Sequence, residues 1–406
     1  MAYNRIYAAH PRMKKKLLII SYSPIGRDPR VMRQIRALQA DYALTIVGFE
    51  PSPALDGIEF IPVSLVPKLS RKIWRACQLL AGAFEYAYWQ SHLVKTTLMS
   101  LAGRTFDAVI ANDVIAVPVA LKLASGAPVI FDGHEYSPRE FENSFVWRLF
   151  LQRYMTYLCS RYLPLTTSAM TVCQGIADEY KRHFGIEAVV VHNSPAYEDL
   201  PVHPTATNLV RLIHHGISAR SRHLECMIDM MTHLDERFTL DLMLVNSDSR
   251  YYAELQRRAH GNTRIRFREP VPMEQISRTI NSYDIGLFLL PPVNFNYHFA
   301  LPNKFFEFIQ ARLAVAIGPS PEMSRLIVQY QNGVIAADFA PETLARALNA
   351  LTPQDIEQMK RHSSEAAGHL NANTVTQQLR ELMQRVLPGA ASTNVTSHGT
   401  ESTSSA

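Results

Sequence analysis

Three polar residues, Asn303, Lys304 and Glu307, stand within five positions of one another in the stretch FALPNKFFEFIQARLAVAIGPSPEM. On a helix, residues three or four apart are neighbours, so the three side chains would share one surface. An amide, an ammonium and a carboxylate in the first turns of a helix suit a ligand that is partly anionic and partly polyhydroxylated. The free N–H groups and the positive dipole end attract a phosphate, and a lysine neutralises it. A glutamate one turn on accepts hydrogen bonds from two vicinal hydroxyls. The competing reading is an ordinary amphipathic helix with a solvated polar face.

A second place for the same chemistry is HHGISARSRHLE, residues 214–225. A glycine after a strand and two arginines before a helix suit a diphosphate lying across the loop, because arginine holds phosphate through paired N–H donors. Gly216, Arg220 and Arg222 are the candidates there, and Arg222 with Lys304 would supply two cations for two phosphates. Two further strand-end loops carry Gly26 and His134. Asp113 and Glu135 are the carboxylates near His134 that could act as bases.

Other chemistries lack their signatures. No G-x-G-x-x-G follows the first strand, and the chain has no Walker motif, no G-x-S-x-G and no pair of histidines spaced for zinc on one helix. Cys77, Cys159, Cys173 and Cys226 are far apart and form neither a metal-ligand nor a redox spacing, as buried thiols in a reducing compartment would. A formal charge of +5 over 406 residues is too modest to argue for nucleic acid. The N-terminus lacks the apolar core of a secretory signal, and no apolar run approaches the length of a membrane span. The expected location is the cytosol, or a cytosolic membrane surface.

The elements that must position these residues alternate strand and helix. KLLII (16–20) is an apolar strand, SYSPIGR a loop, and Asp28-Pro29 opens a helix with Asp28 as N-cap. Strands follow at 44–49, 108–111, 129–131, 169–172 and 188–191, almost wholly apolar as in a parallel sheet covered on both faces. Residues 195–208 (PAYEDLPVHPTATN) read as an interdomain linker, after which the alternation restarts with strands at 210–214, 240–245, 265–267, 285–290 and near 334. The fold class is α/β, with two parallel-sheet domains of Rossmann type facing across a cleft. The expected boundaries are a flexible leader at 1–13, a first domain at 14–200, a second at 201–372, a terminal helix at 373–387 and a disordered tail at 388–406. Residues 67–101 read as helical, with Lys68, Arg71, Lys72 and Arg75 in one basic stripe beside Trp74 and Trp89. Such a helix can lie on an anionic membrane; a solvated face is the alternative.

DPRVMRQIRAL, FDAVIANDVIAVPVALKLA, PVIFDGHE, HHGISARSRHLE and above all ALPNKFFEFIQARLAVAIGPSPEM resemble the nucleotide-sugar-dependent glycosyltransferases of family 4, over residues 15–385. The resemblance implies the GT-B fold, a donor nucleotide held by the second domain and an acceptor by the first. It also implies transfer with retention of configuration, without an obligatory metal or a cofactor. Glu307 matches the carboxylate for the donor ribose, Lys304 the matching helix opening and Arg222 a basic residue on the diphosphate. Gly26 matches the first-domain loop glycine near the phosphates, and His134 the histidine close to the transferred sugar. Candidate catalytic residues are thus His134, Arg222, Lys304 and Glu307; candidate donor-binding residues are Gly26, Gly216, Arg220 and Asn303.

Three positions depart from the family pattern. Phe299 stands where an acid is frequent, Arg312 where a glycine is usual, and Ile217 where arginine often follows the strand-end glycine. The acceptor would be a saccharide or a lipid-linked saccharide in cell-surface glycan assembly. A nucleotide-sugar epimerase and a non-catalytic sugar-nucleotide-binding subunit are the alternatives.

Overall fold

The computed structural model of the chain describes residues 14–64 and 69–387, with the side chains of 69–72 outside the description. The expected leader and tail, and Lys68, lie outside the described residues.

The first sheet contains β1 (Lys15–Pro24), β2 (Tyr42–Phe49), β3 (Glu59–Pro62), β4 (Ala108–Asn112), β5 (Val129–Gly133), β6 (Ser168–Thr171) and β7 (Ala188–Val190). Their order is β3-β2-β1-β4-β5-β6-β7, with parallel pairing throughout. The second sheet contains β8 (Val210–Ile217), β9 (Phe238–Val245), β10 (Ile265–Arg268), β11 (Ile285–Phe288), β12 (Ala314–Ile317) and β13 (Gly333–Ile335). Its order is β10-β9-β8-β11-β12-β13, again parallel. Leu17 to Ile20 and Ala108 to Ala111 are fully buried, because helices cover both faces of the sheet. In each sheet the strand order reverses once, between β1 and β4 and between β8 and β11. Ligands of open α/β sheets bind outside the carboxyl ends at such points.

The helices that matter to the site are α1 (Pro29–Leu38), α2 (Leu69–Leu80), α3 (Arg153–Tyr162), α4 (Gln174–Phe184), α5 (Asn303–Gln310), α6 (Pro321–Tyr330), α7 (Pro353–His369) and α8 (Ala372–Val386). Asp28 caps α1, accepting from the N–H groups of Arg30 and Val31. The terminal helix α8 crosses back to the first sheet, where Val375, Leu379, Leu382 and Met383 share a core with Leu17, Ile19 and Ile35. The stretch at 195–208 has no helix, yet it is pinned to the second domain: Thr205 donates to Asp284 and the Glu198 N–H to Gln310.

Two sequence expectations change. The helical stretch 67–101 divides into α2, a short helix at Phe84–Trp89 and another at His92–Ser100, with Gly82 at φ +73° in the first break. Arg312 follows α5 in a left-handed conformation, φ +61°, although it carries a side chain where the resemblance led one to expect glycine. The strain is offset because the buried Arg312 guanidinium donates to the carbonyls of Gln310 and Glu198, tying α5 to the linker.

The two domains touch through the segments that follow the strand ends. The Tyr136 N–H donates to Asn296 Oδ1 at 2.8 Å and the Phe295 N–H to Glu142 at 2.8 Å. Glu322 of α6 accepts the Gln174 and Gly175 N–H groups at the start of α4, at 3.3 and 2.8 Å. This places a carboxylate on a helix N-terminus across the cleft. The Phe299 ring lies where a side chain on Gly175 would be, so that glycine lets the domains close.

Candidate functional site

Helix α5 begins at Asn303, one residue after Pro302, which is its extended N-cap residue. The solvated polar face of the competing reading is not there: Lys304 and Glu307 are each only 5% exposed, and every residue from 304 to 310 is buried. Phe305, Phe306 and Ile309 enter the core as expected. The other face meets β8 and, through α1, the first domain. Two charges held this way in a protein interior need a purpose or a partner.

Lys304 finds its partners on β8. Its Nζ lies 3.2 Å from His214 Nε2 and 4.7 Å from the centre of the Phe288 ring. The His214 Nδ1 faces the Leu287 carbonyl at 2.8 Å, which leaves Nε2 as the acceptor for the lysine. Burial, and then the neighbouring Lys304, push the His214 pKa well below the ordinary histidine value, so the ring is neutral. Lys304 itself is lowered well below the usual ammonium range by burial and by the nearby Arg222.

Gly216 marks where the two basic side chains meet. Its φ is +138°, and a Cβ there would lie 2.8 Å from Lys304 Nζ and 3.3 Å from an Arg222 Nη. Glycine is needed both for the backbone angle and for the space. Arg222, Lys304 and Gly216 therefore converge, as the sequence led one to expect. Arg220 does not join them: it pairs with Glu254 at 2.6 Å and stacks on Tyr251 at 4.8 Å, on an exposed face. Ile217, 40% exposed, contributes no charge.

Glu307 lies one turn after Lys304. Burial lifts its pKa to about 7, against the pull of Lys304 and Arg33. Its Oε2 is 3.3 Å from His215 Nε2, out of line for a hydrogen bond, and that nitrogen has no other partner among the described residues. Burial, with Lys304 and Arg222, keeps His215 neutral. Among the described residues no group donates a hydrogen bond to this carboxylate, which lies beside two basic side chains and so suits ligand hydroxyls.

Arg33 is a site residue that sequence reasoning missed. It reaches from α1 to donate to Asn303 Oδ1 at 3.1 Å. Burial, and then Arg30, bring its pKa down to about 10, while Glu307 pulls it the other way. The available signal was Arg30 and Arg33 three apart on one helix; only the fold puts Glu307 near them. His214 and His215 were also legible, as paired histidines at a strand end just before Gly216.

The first-domain side centres on His134. Its Nε2 lies 2.9 Å from Asn112 Oδ1 and 3.6 Å from Asp132, and its Nδ1 lies 3.7 Å from Asp113. Burial opposes a charge on the ring, but Asp113 and Asp132 outweigh it and lift the pKa to about 9. Asp132 is fully buried; Arg30 grips both of its oxygens, at 2.8 and 2.5 Å, and Gln34 donates to it as well. Burial would raise its pKa, yet Arg30 and His134 hold it at about 2. This network orients His134 firmly.

Asp113, at φ +60°, is a strained residue beside the ring. Glu135 accepts from Asn296 Nδ2 of the second domain at 3.1 Å, and its pKa is pushed up to about 7 by burial in the cleft and by Asp113. A groove of about 480 Å³ between the domains is lined by Arg139, Glu142, Phe295 and Phe299. Gly26 plays a local part: its N–H donates to Pro51 at 2.9 Å, and a Cβ would lie 2.6 Å from the Ser52 carbonyl. The chain's own backbone requires glycine there. Among the described residues, no cluster of side chains could hold a metal ion.

No protein-family model matches the chain, and no curated protein matches it. Solved structures do. Anabaena HepE in complex with UDP-glucose superposes with a TM-score of 0.67 at 15% identity, covering 91% of this chain and 100% of that one. Sucrose-phosphate synthase from Thermosynechococcus elongatus gives 0.68 at 11% identity over 92% and 99%. WaaG, a glycosyltransferase involved in lipopolysaccharide biosynthesis, gives 0.62 at 12% identity over 92% and 100%. Parallel sheets of seven and six strands, facing across a cleft as in these glycosyltransferases, make this a GT-B fold.

Proposed function

We propose that the chain is a glycosyltransferase that takes a sugar from a nucleoside diphosphate sugar, with UDP as the nucleotide, and passes it to a saccharide or lipid-linked acceptor. One observation carries this reading: Arg222 and Lys304 meet at Gly216, with Glu307 one helical turn away. Two cations at a strand-end glycine fit a diphosphate, and a buried carboxylate beside them fits ribose hydroxyls. HepE, of the same fold, has been solved with UDP-glucose and with UDP.

In this reading Arg222, Lys304 and the first N–H groups of α5 stabilise the diphosphate as negative charge grows on it. They strengthen in the transition state and so lower the barrier. Glu307 and Arg33 orient the nucleotide, and His134 holds the sugar from the first domain. The configuration is retained by front-face attack, the leaving phosphate taking the acceptor proton, and no metal takes part. Closure of the two domains keeps water from the donor. The acceptor belongs to polysaccharide or glycoconjugate assembly at the cytosolic face of a membrane.

A thermal-shift screen against a panel of nucleotide sugars tests the donor half, since a ligand that binds only the folded state raises the melting temperature. A rise with UDP-sugars that disappears in Lys304→Ala supports it; no rise with any nucleotide sugar refutes it. Incubation with the donor alone then separates the chemistries. Formation of an epimer would replace transferase with epimerase, and donor binding without turnover by any acceptor would leave a binding subunit.

A further inference from the structure

Given the donor reading, on which this rests, we propose that the acceptor side of the cleft is set from the second domain. Asn296 is a positioning residue for the Glu135 carboxylate, and Tyr297 ties it to the diphosphate loop. Asn296 stands on the short helix Phe295–His298, which docks on the loop after β5 in the first domain, and it is only 7% exposed. Its Oδ1 accepts the Tyr136 N–H at 2.8 Å, and its Nδ2 donates to Glu135 Oε2 at 3.1 Å. On either side, Asn294 Nδ2 donates to the Glu140 carbonyl at 3.3 Å and the Phe295 N–H to Glu142 Oε1 at 2.8 Å. The Phe295 ring lies 5.1 Å from the Tyr136 ring and 4.7 Å from the Arg139 guanidinium.

An amide held at both ends fixes the direction of that loop as well as its distance. It takes one oxygen of Glu135; the other, Oε1, has no hydrogen-bond partner among the described residues. An ionised carboxylate oxygen only accepts, so it suits a hydroxyl, the group a saccharide acceptor brings. Glu135 follows His134 and lies close enough to feel its charge, so the free oxygen belongs to the same corner of the cleft. Toward its own domain, Tyr297 Oη lies 3.0 Å from Ser221 Oγ, and Ser320 donates to the His298 carbonyl at 3.4 Å. Ser221 stands between Arg220 and Arg222 in the turn that follows β8. A diphosphate gathered by Arg222 orders that turn, and the Tyr297 hydroxyl passes the order to the amide on Glu135. A ligand that has already ordered a shared element leaves less entropy for the next one to lose. The donor thus prepares the carboxylate that receives the acceptor, although the two groups stand on different domains.

The test is amide hydrogen exchange of the full chain, read by mass spectrometry on peptides covering the loop 135–142, with and without UDP. Calorimetry with UDP runs beside it. In wild type UDP should slow exchange in the loop at least about five-fold, although none of its residues is placed on the nucleotide. Tyr297→Phe should still bind UDP through Arg222 and Lys304, yet lose the slowing. Asn296→Asp keeps the size of the side chain and the contact with Tyr136, but sets a second carboxylate against Glu135. At about pH 8, where both are ionised, its loop should exchange at least about five-fold faster than wild type without UDP. Adding Glu135→Gln to Asn296→Asp restores the donor and acceptor in reverse order and should return exchange to the wild-type rate. Such rescue marks a specific amide–carboxylate contact, which loss of packing alone would not give. Absence of rescue overturns the positioning role, and UDP that binds without slowing the loop overturns the link through Tyr297. If calorimetry shows no UDP binding to wild type, the donor reading fails and the link with it, while the arms without UDP still decide the part played by Asn296.

Discussion

Arg33 donates to Asn303 across the cleft at 3.1 Å, joining the first helix of one sheet to the helix that opens the other sheet's site. The same guanidinium sits close enough to Glu307 to influence its ionisation. On the proposed function Arg33 would belong to the donor site although it stands on the other domain, and domain closure and donor binding would be coupled through it.

That coupling makes Arg33→Ala a direct probe. Losing a charge-assisted hydrogen bond in a partly buried setting costs about 1.5 kcal/mol, or about ten-fold in donor affinity. Arg33→Lys keeps the charge but loses the planar fork, so it should recover only part. Calorimetric titration with UDP measures both variants. Unchanged affinity in Arg33→Ala would separate α1 from the donor site.

The convergence at Gly216 gives the strongest expectation for affinity. Lys304→Ala or Arg222→Ala should each cost about 1.5–3 kcal/mol, ten- to a hundred-fold in Kd for UDP. Gly216→Ala should mimic Lys304→Ala, because its methyl group would stand 2.8 Å from the ammonium and its backbone angle disfavours any side chain. Arg220→Ala should leave affinity within two-fold, since that guanidinium is taken by Glu254. Equal losses in Arg220→Ala and Arg222→Ala would contradict the geometry.

How much of this site could be read in the residues depends on where the third dimension enters. The strands were legible because a parallel sheet covered on both faces writes itself as short apolar runs, as at Leu17–Ile20. The edge strand β3 was not, being four residues with Glu59 and Pro62 at its ends. Lys304 and Glu307 were legible as a pair, but periodicity alone could not decide between a ligand site and a solvated face, since it equates polar with exposed. What buries them is β8, some ninety positions away, together with α1 of the other domain. Arg33 and Asn303 are 270 positions apart, and no local pattern connects them. Gly26 shows the converse: the residue was legible, but the approach of Pro51 and Ser52 that its lack of a side chain permits was not.

Donor affinity should depend on pH through two groups of opposite sign. Burial sets Glu307 near 7 in the free protein, and ribose hydroxyls donate to its ionised form. Binding therefore favours loss of that proton, and affinity weakens as pH falls below 7, by up to ten-fold per unit. Lys304, lowered by burial and Arg222, takes a proton when a diphosphate arrives, so affinity also weakens as pH rises past its depressed pKa. Glu307→Gln should flatten the acid side and Lys304→Met the alkaline side. Calorimetric Kd values for UDP between about pH 5 and 9 would show a flat wild-type profile if neither group meets the ligand.

His134 should affect turnover rather than donor binding. Held by Asn112 and flanked by Asp113 and Asp132, it is charged at neutral pH and loses its proton near 9. His134→Gln removes the charge while keeping a donor, and kcat is expected to fall about a hundred-fold with UDP affinity unchanged. The alkaline limb of wild-type kcat should lie near 9 and vanish in the variant. Glu135→Gln, at the groove and facing Asn296, should raise the acceptor KM instead. A parallel loss of UDP affinity in His134→Gln would move this histidine to a purely structural part.

The frame behind the site has its own test in the buried pair of Lys360 and Asp284, 3.0 Å apart with neither side chain exposed. Asp284 also accepts the Arg211 N–H at 2.8 Å and the Thr205 hydroxyl at 3.2 Å, so it ties α7 to β8 and the linker. Lys360→Met leaves this buried carboxylate with only the longer Arg211 guanidinium contact at 3.5 Å and should destabilise the second domain by about 3 kcal/mol. Asp284→Asn strands the ammonium and should cost a comparable amount. The double variant should be more stable than the sum of the two losses, because both fully buried charges are gone and Arg211, which loses its partner, is partly exposed to solvent. Urea titrations, compared at their midpoints with unchanged slope, measure all three. Since α7 packs against α5, the single variants should also loosen the helix that holds Lys304 and Glu307. Their UDP affinity is then expected to fall at temperatures where wild type still binds. A loss below about 1 kcal/mol in both single variants would mean that the charges are not what holds α7 in place.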